Sequence, residues 1–128
     1  MKIAIVGSRD FELYDKLVEY IKSKIDVSEI TVVVSGGAKG ADTLAERFAK
    51  ENNIPLTVVL PDWKKHGRAA GPLRNKIIVD IADIVFAFWD GKSKGTKSAI
   101  THTIKTSKKH WVCKYIPDTN TQTDLFGE

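Results

Sequence analysis

The chain predicts an α/β domain: one doubly wound, mainly parallel five-stranded sheet with helices on both faces. Three observations predict it. Five short apolar runs alternate with stretches whose apolar residues recur at helical spacing. The runs are apolar throughout, as strands covered on both faces are. Turn-forming residues cluster where runs end, and in such sheets ligands bind beyond the carboxyl ends of the strands.

Lys2 to Val6 is a β-branched run ended by Gly7-Ser8-Arg9-Asp10, and Leu17, Val18, Ile21 and Ile25 then mark a helix over residues 13–25. Ile30 to Val34 forms the second strand, stopped by Ser35-Gly36-Gly37. Ala41, Leu44, Ala45, Phe48 and Ala49 give the next helical stripe, which Asn52-Asn53 ends before a strand from Leu56 to Leu60. A long loop, Pro61 to Gly71, precedes a helix carrying Leu73, Ile77, Ile78 and Ile81. Ile84 to Trp89 is the fourth strand. Asp90 to Gly95 leads to a helix with Ala99, Ile100, Thr103 and Ile104 inward, and Trp111 to Ile116 is the fifth strand. Right-handed crossovers make a Rossmann-like layout the economical arrangement.

With 128 residues, 42% hydrophobic and 28% charged, the chain has the size and composition of one soluble domain. The N-terminal apolar run is too short for a signal peptide, and no stretch approaches the roughly 18–20 apolar residues of a membrane span. A cytoplasmic protein without membrane contact is expected. The single cysteine, Cys113, excludes an internal disulfide and reads as a buried strand thiol. His66, His102 and His110 are too scattered for a metal site, so neither metal nor cofactor is implied.

Charge divides the chain in two. Residues 117–128 carry a net −3 and little hydrophobic periodicity, reading as a flexible acidic tail, which leaves +7 on residues 1–116. Lys92, Lys94, Lys97, Lys105, Lys108, Lys109 and Lys114 fall in a segment, 91–116, without a carboxylate. Such a segment suits a polyanion, and it equally suits a solvated helix face.

The loops carry the chemistry. In Ser35-Gly36-Gly37-Ala38-Lys39-Gly40-Ala41-Asp42, the glycines allow close backbone approach and the following helix offers free N–H groups to an anion. Asp42 also reads as a first-turn carboxylate that merely steadies its own helix. Gly7, Ser8 and Arg9 leave the first strand; Arg68, Arg74 and Asn75 follow the third; Gly95-Thr96 opens the last helix. Arginine forks pair phosphate oxygens bidentately. Trp63 is placed to stack a base.

The ordered set Gly7-Ser8-Arg9, Ser35-Gly36-Gly37-Ala38-x-Gly40-Ala41-Asp42, Ala70-Gly71-Pro72-x-Arg74-Asn75 and Gly95-Thr96 resembles the SLOG superfamily, in its small YspA-like, YpsA-related branch. The resemblance spans residues 1–116. It extends more distantly to the Lonely guy phosphoribohydrolases and to the Rossmann domain of DNA-processing protein A. It implies a nucleotide or nucleotide-derived ligand. Arg74 falls where the hydrolases' catalytic arginine stands, but Ala99 falls where their glutamate stands. Alanine can neither polarise water nor stabilise a developing ribosyl cation, and Lys97 to Lys109 holds no carboxylate to replace it. Binding without hydrolysis is the expectation; phosphoribohydrolase activity is an alternative, and whether any reaction is catalysed stays open.

Within the tail, Gln122-Thr123-Asp124-Leu125-Phe126 resembles the peptide by which bacterial replication proteins bind the polymerase sliding clamp, with Gln122, Leu125 and Phe126 as its anchors. A single-stranded DNA-binding module recruited through that peptide is thus a further alternative. Self-association into a homo-oligomer is compatible with all three.

Overall fold

The computed structural model describes residues 1–116. Five strands, β1 (Lys2–Gly7), β2 (Val32–Ser35), β3 (Leu56–Val58), β4 (Ile84–Trp89) and β5 (Lys109–Lys114), form one sheet. All its pairings are parallel, in the order β3-β2-β1-β4-β5. Five α-helices connect them: α1 (Tyr14–Lys24), α2 (Ala41–Glu51), α3 (Trp63–His66), α4 (Ala70–Ile81) and α5 (Lys94–Lys105). The doubly wound class read from the sequence holds. Strand order reverses at β1, which lies between β2 and β4.

The two-residue period of β1 distributes the core. Ile3 and Ile5 face one side, where they meet Leu17 and Ile21 of α1 and Phe48 of α2; Ala4 and Val6 face the other, against Ile78 and Val79 of α4 and Ala99 of α5. Phe11 stacks on Phe88 with ring centroids 5.0 Å apart and leans on Tyr115, fixing the chain just beyond β1. Each such fully buried side chain contributes roughly 1.5–3 kcal/mol by leaving water.

Several boundaries differ from those the sequence suggests. β2 runs over Val32–Ser35, later than 30–34, and β3 stops at Val58 rather than Leu60. Val59 still donates its N–H to the Ser35 carbonyl, but Pro61, two residues on, has no N–H with which to extend the ladder. The stretch Pro61 to Gly71 is not one loop. Asp62 caps α3 by accepting from the Lys65 N–H, a one-turn 3-10 segment follows over Gly67–Ala69, and α4 has begun by Ala70. β5 occupies Lys109–Lys114 instead of 111–116, because an edge strand admits lysine and histidine on its solvent side. Ile104 points outward at 60% exposure, so it is not part of the inner face of α5. Trp89 and Trp111 are half-buried, Trp111 stacking on Phe86. Among the described residues no helix is long and apolar enough to cross a membrane.

Candidate functional site

A cavity of about 470 Å³ opens beyond the carboxyl ends of β1 and β4, at the reversal of strand order. Four chain segments build it: Gly7 to Asp10 after β1, Ala38 and Asp42 around the start of α2, Arg74 and Asn75 in the second turn of α4, and Asp90 to Thr96 from β4 into α5.

Backbone hydrogen bonds hold the first segment in place. The Ser8 carbonyl accepts from the N–H groups of Phe11 and Ala41, each at 3.2 Å, and Ser8 Oγ accepts from the Asp90 N–H at 3.3 Å. The close approach this needs explains two glycines. A Cβ on Gly7 would lie 2.6 Å from both Ala41 Cβ and the Phe88 carbonyl oxygen. A Cβ on Gly40, whose φ is +72°, would run into the backbone of Ser8 and Arg9.

The loop from Ser35 to Asp42 closes on a carboxylate of its own. Asp42 Oδ2 accepts from the Ala38 N–H at 3.0 Å. A Cβ on Gly36 would sit 3.0 Å from that carboxylate and 2.7 Å from Arg74 Nη1, so both groups pack against the bare Gly36 backbone. Burial pushes the Asp42 carboxyl up, against the Ala38 N–H and the Arg74 charge, which hold it down. Arg74 Nη1 donates to the Gly36 carbonyl at 2.7 Å, and its Nε donates to Asn75 Oδ1 at 2.9 Å. Asn75 Nδ2 in turn donates to the Gly95 carbonyl at 3.1 Å. Arg74 and Asn75 thereby strap the loop after β2 to the start of α5, across the cavity.

At α5 the end remains open. Asp90 accepts the N–H groups of Lys92 and Ser93, both at 2.8 Å, and these bonds hold its carboxyl below the ordinary range. Ser93 caps the helix through Thr96, whereas the N–H groups of Lys94 and Gly95 have no partner among the described residues. Arg9 is exposed, Arg74 half-buried, and neither forms an ion pair within 4.0 Å among the described residues. Burial and the like charge of Arg9 both hold the Arg74 guanidinium below its ordinary range, with Asp42 opposing them. Two guanidiniums and the positive end of a helix dipole therefore face one space.

The residues expected from the sequence separate into three groups. Gly7, Ser8, Arg9, Asp42, Arg74, Asn75, Gly95 and Thr96 line the cavity together. Ser35, Gly36, Gly37 and Gly40 lie behind them: Ser35 is fully buried with its hydroxyl unpartnered, and Gly37, at φ +71°, turns the chain beside Val58 and Leu60. Trp63 and Arg68 are exposed and off the cavity wall; the Trp63 ring lies over Gly71 at the start of α4. Gln122, Leu125 and Phe126 fall outside the described residues. Sequence reasoning gave no part to Ser93, although an Asp-x-x-Ser-x-x-Thr run before a helix is the signature of the turn and cap that Asp90, Ser93 and Thr96 form.

Ala99 sits on the cavity wall, and the three carboxylates there are already engaged. Asp42 and Asp90 accept backbone N–H groups, and Asp10 accepts the Tyr115 hydroxyl at 2.5 Å.

Comparison with known proteins supports the fold and the family. A 103-residue stretch is 36% identical to the Gene 61 protein of Mycobacterium phage D29, covering 75% of this chain and 82% of the phage protein. The fold matches DNA processing protein A from Helicobacter pylori, described for its single-stranded DNA binding mode (TM-score 0.65, 23% identity, 88% of this chain). It likewise matches DNA processing protein A from Streptococcus pneumoniae (TM-score 0.66, 20% identity, 98% of this chain). The chain spans 64% and 52% of the length of those two structures, and the likeness is one of fold. Residues 1–66 match the model of the YspA, cpYpsA-related SLOG family, and with the phage relative this establishes that the chain belongs to that family.

Proposed function

We propose that residues 1–116 form a nucleotide-binding domain that holds a phosphate at the start of α5, between Arg9 and Arg74, and does not hydrolyse its ligand by the phosphoribohydrolase mechanism. The observation that carries the reading is an asymmetry between two helix ends. Asp42 supplies the start of α2 with an anion of its own, whereas the start of α5 offers the N–H groups of Lys94 and Gly95 and faces two guanidiniums without ion-pair partners among the described residues. The cavity volume falls within the range of small-molecule sites. With Ala99 on the wall where the phosphoribohydrolases carry their glutamate, the carboxylate of that mechanism is missing. Thermal-shift titration with nucleoside mono-, di- and cyclic phosphates tests the proposal. Stabilisation by at least one of them, reduced in Arg74→Ala, is expected. Indifference to every nucleotide would overturn it, and release of free base from a monophosphate would overturn the exclusion of hydrolysis.

A second reading rests on a different observation. Lys92, Lys94 and Lys97 are exposed at the cavity end of α5 and Lys105 at its far end, and a protein of the same fold is described as binding single-stranded DNA. Under this reading the crevice holds a backbone phosphate and the lysines track the strand, with the peptide 122–126 as a tether to the sliding clamp. Lys108 is excluded from the track, because its Nζ donates to the Val79 and Asp80 carbonyls at the end of α4. Oligonucleotide affinity would fall steeply with salt, and each lysine removed would lower the log–log slope by about 0.7. Clamp binding that survived deletion of 122–126 would remove the tether from the reading.

A further inference from the structure

The two edges of the sheet differ. β5 carries Lys109 and Lys114, which keep another strand from pairing with it. β3 has no charged guard: the stretch from Ile54 to Leu60 holds no charged residue, and only its three-residue length and the flanking Pro55 and Pro61 blunt it. The Val33 N–H donates to the Pro55 carbonyl and the Val59 N–H to the Ser35 carbonyl, so residues 55, 57 and 59 bond towards β2. By the alternation of a strand, Leu56 and Val58 turn their N–H and C=O groups outward.

Apolar side chains surround this edge. Leu56, Val58 and Leu60 share one side of it. On the opposite face of the sheet Leu73, Ile77 and Ile81 recur every fourth residue along α4. That stripe lies on the flank of α4 turned away from α5, since Asn75 and Asp80 make the contacts with α5 through Gly95 and His102. These six side chains are between 36% and 69% exposed, and Trp63, at 55%, closes the upper end of the stripe. Summed over both sides of the edge they expose on the order of 600 Å², against the ~800 Å² that one partner buries in a standard interface.

We propose that a second copy of this chain covers the β3 edge, the two α4 flanks packing against each other across a two-fold axis. A two-fold interface must match itself, and an uncharged band around a symmetric element meets that condition. Homodimer interfaces are also the most apolar class, and the charged neighbours of the band, Asp62 and Lys64 beside Trp63 and Lys76 and Asp80 on α4, include both signs.

Sedimentation equilibrium of the full chain at micromolar concentration tests it. The wild type is expected at twice the 14.2 kDa chain mass. Ile77→Glu should weaken the dimer by about tenfold or more, with an unchanged far-ultraviolet circular dichroism spectrum. Leu60→Lys, on the other side of the edge, should do the same and replaces Ile77→Glu if that variant does not fold. Ile104→Glu, at an isoleucine equally exposed but on α5, should leave the dimer intact. A wild type that sediments as a single chain would overturn the proposal, as would an Ile104→Glu variant that dissociates as readily as Ile77→Glu.

Discussion

Arg74 serves two ends of the cavity at once, holding the Gly36 carbonyl with Nη1 and Asn75 with Nε while its Nη2 has no partner among the described residues. Its removal should therefore act on stability and on binding separately. Arg74→Ala loses two hydrogen bonds from a charged donor, to the Gly36 carbonyl and to Asn75 Oδ1, about 1.5–3 kcal/mol of stability or more, and the ligand's affinity should fall about tenfold or more, both measurable by denaturation and titration. Arg74→Lys keeps a charge but not the fork, and should recover only part of the affinity. Asp42 carries the opposite prediction. Because burial raises its carboxyl above the unfolded value, the folded state binds the proton more tightly, and ionised Asp42 destabilises the protein at neutral pH. Asp42→Asn should raise Tm at pH 7, with a gain that shrinks as pH falls into the ordinary carboxylate range and both proteins carry a neutral side chain. The same substitution removes the anion beside Arg74 and should tighten binding of a phosphate. A Tm unchanged or lowered at pH 7 would show that the Ala38 N–H and Arg74 outweigh the burial.

At the scale of elements, the site depends on how closely the end of β1 approaches the start of α2. Gly40 makes that approach possible with a left-handed φ that other residues adopt under strain and with an empty position against the Ser8 and Arg9 backbone. Gly40→Ala should destabilise the domain by about 2 kcal/mol or more and displace Arg9, so urea unfolding and ligand titration should both register the change. Gly67→Ala is the control: its φ is also positive, but nothing lies within 4 Å of an added Cβ, so the cost should be limited to the backbone strain and binding should be spared. These elements differ in how far the sequence reveals them. Gly7-Ser8-Arg9 and the Ser35 to Asp42 loop are legible because glycine and short polar residues interrupt apolar runs. The helix inside 61–71 is not: α3 is a single turn with no apolar period, marked only by the Asp62 cap. Nor does the sequence show that Asp42 occupies the anion position of its own loop, because the same residue type at the same place also steadies a helix from outside. Only the fold of Gly36 around it separates the two.

For the whole molecule, strand order is what the sequence conceals. Five apolar runs look alike, yet β1 and β4 lie in the interior of the sheet while β3 is an edge whose three residues are all exposed. Edge position turns Leu56 and Val58 from apparent core into surface. It likewise leaves Leu73, Ile77 and Ile81 without a covering element, although their spacing reads as an inner helix face. The phosphate site and the apolar edge share α4, which gives Arg74 and Asn75 to the cavity and Leu73, Ile77 and Ile81 to the edge, and mass action allows the two to be measured separately. A ligand held at 100 times its Kd adds about 2.7 kcal/mol, and at about 3–5 °C per kcal/mol for a domain of this size the melting midpoint should rise by about 10 °C. A dimer adds a second dependence, a midpoint that climbs with protein concentration even without ligand. Arg74→Ala should cut the first by about half or more and keep the second; Ile77→Glu should keep the first and shift the second to higher protein concentration by about tenfold or more. If either substitution removed both, the cavity and the edge would be coupled, and the dimer would have to be treated as part of the binding site rather than as a scaffold beside it.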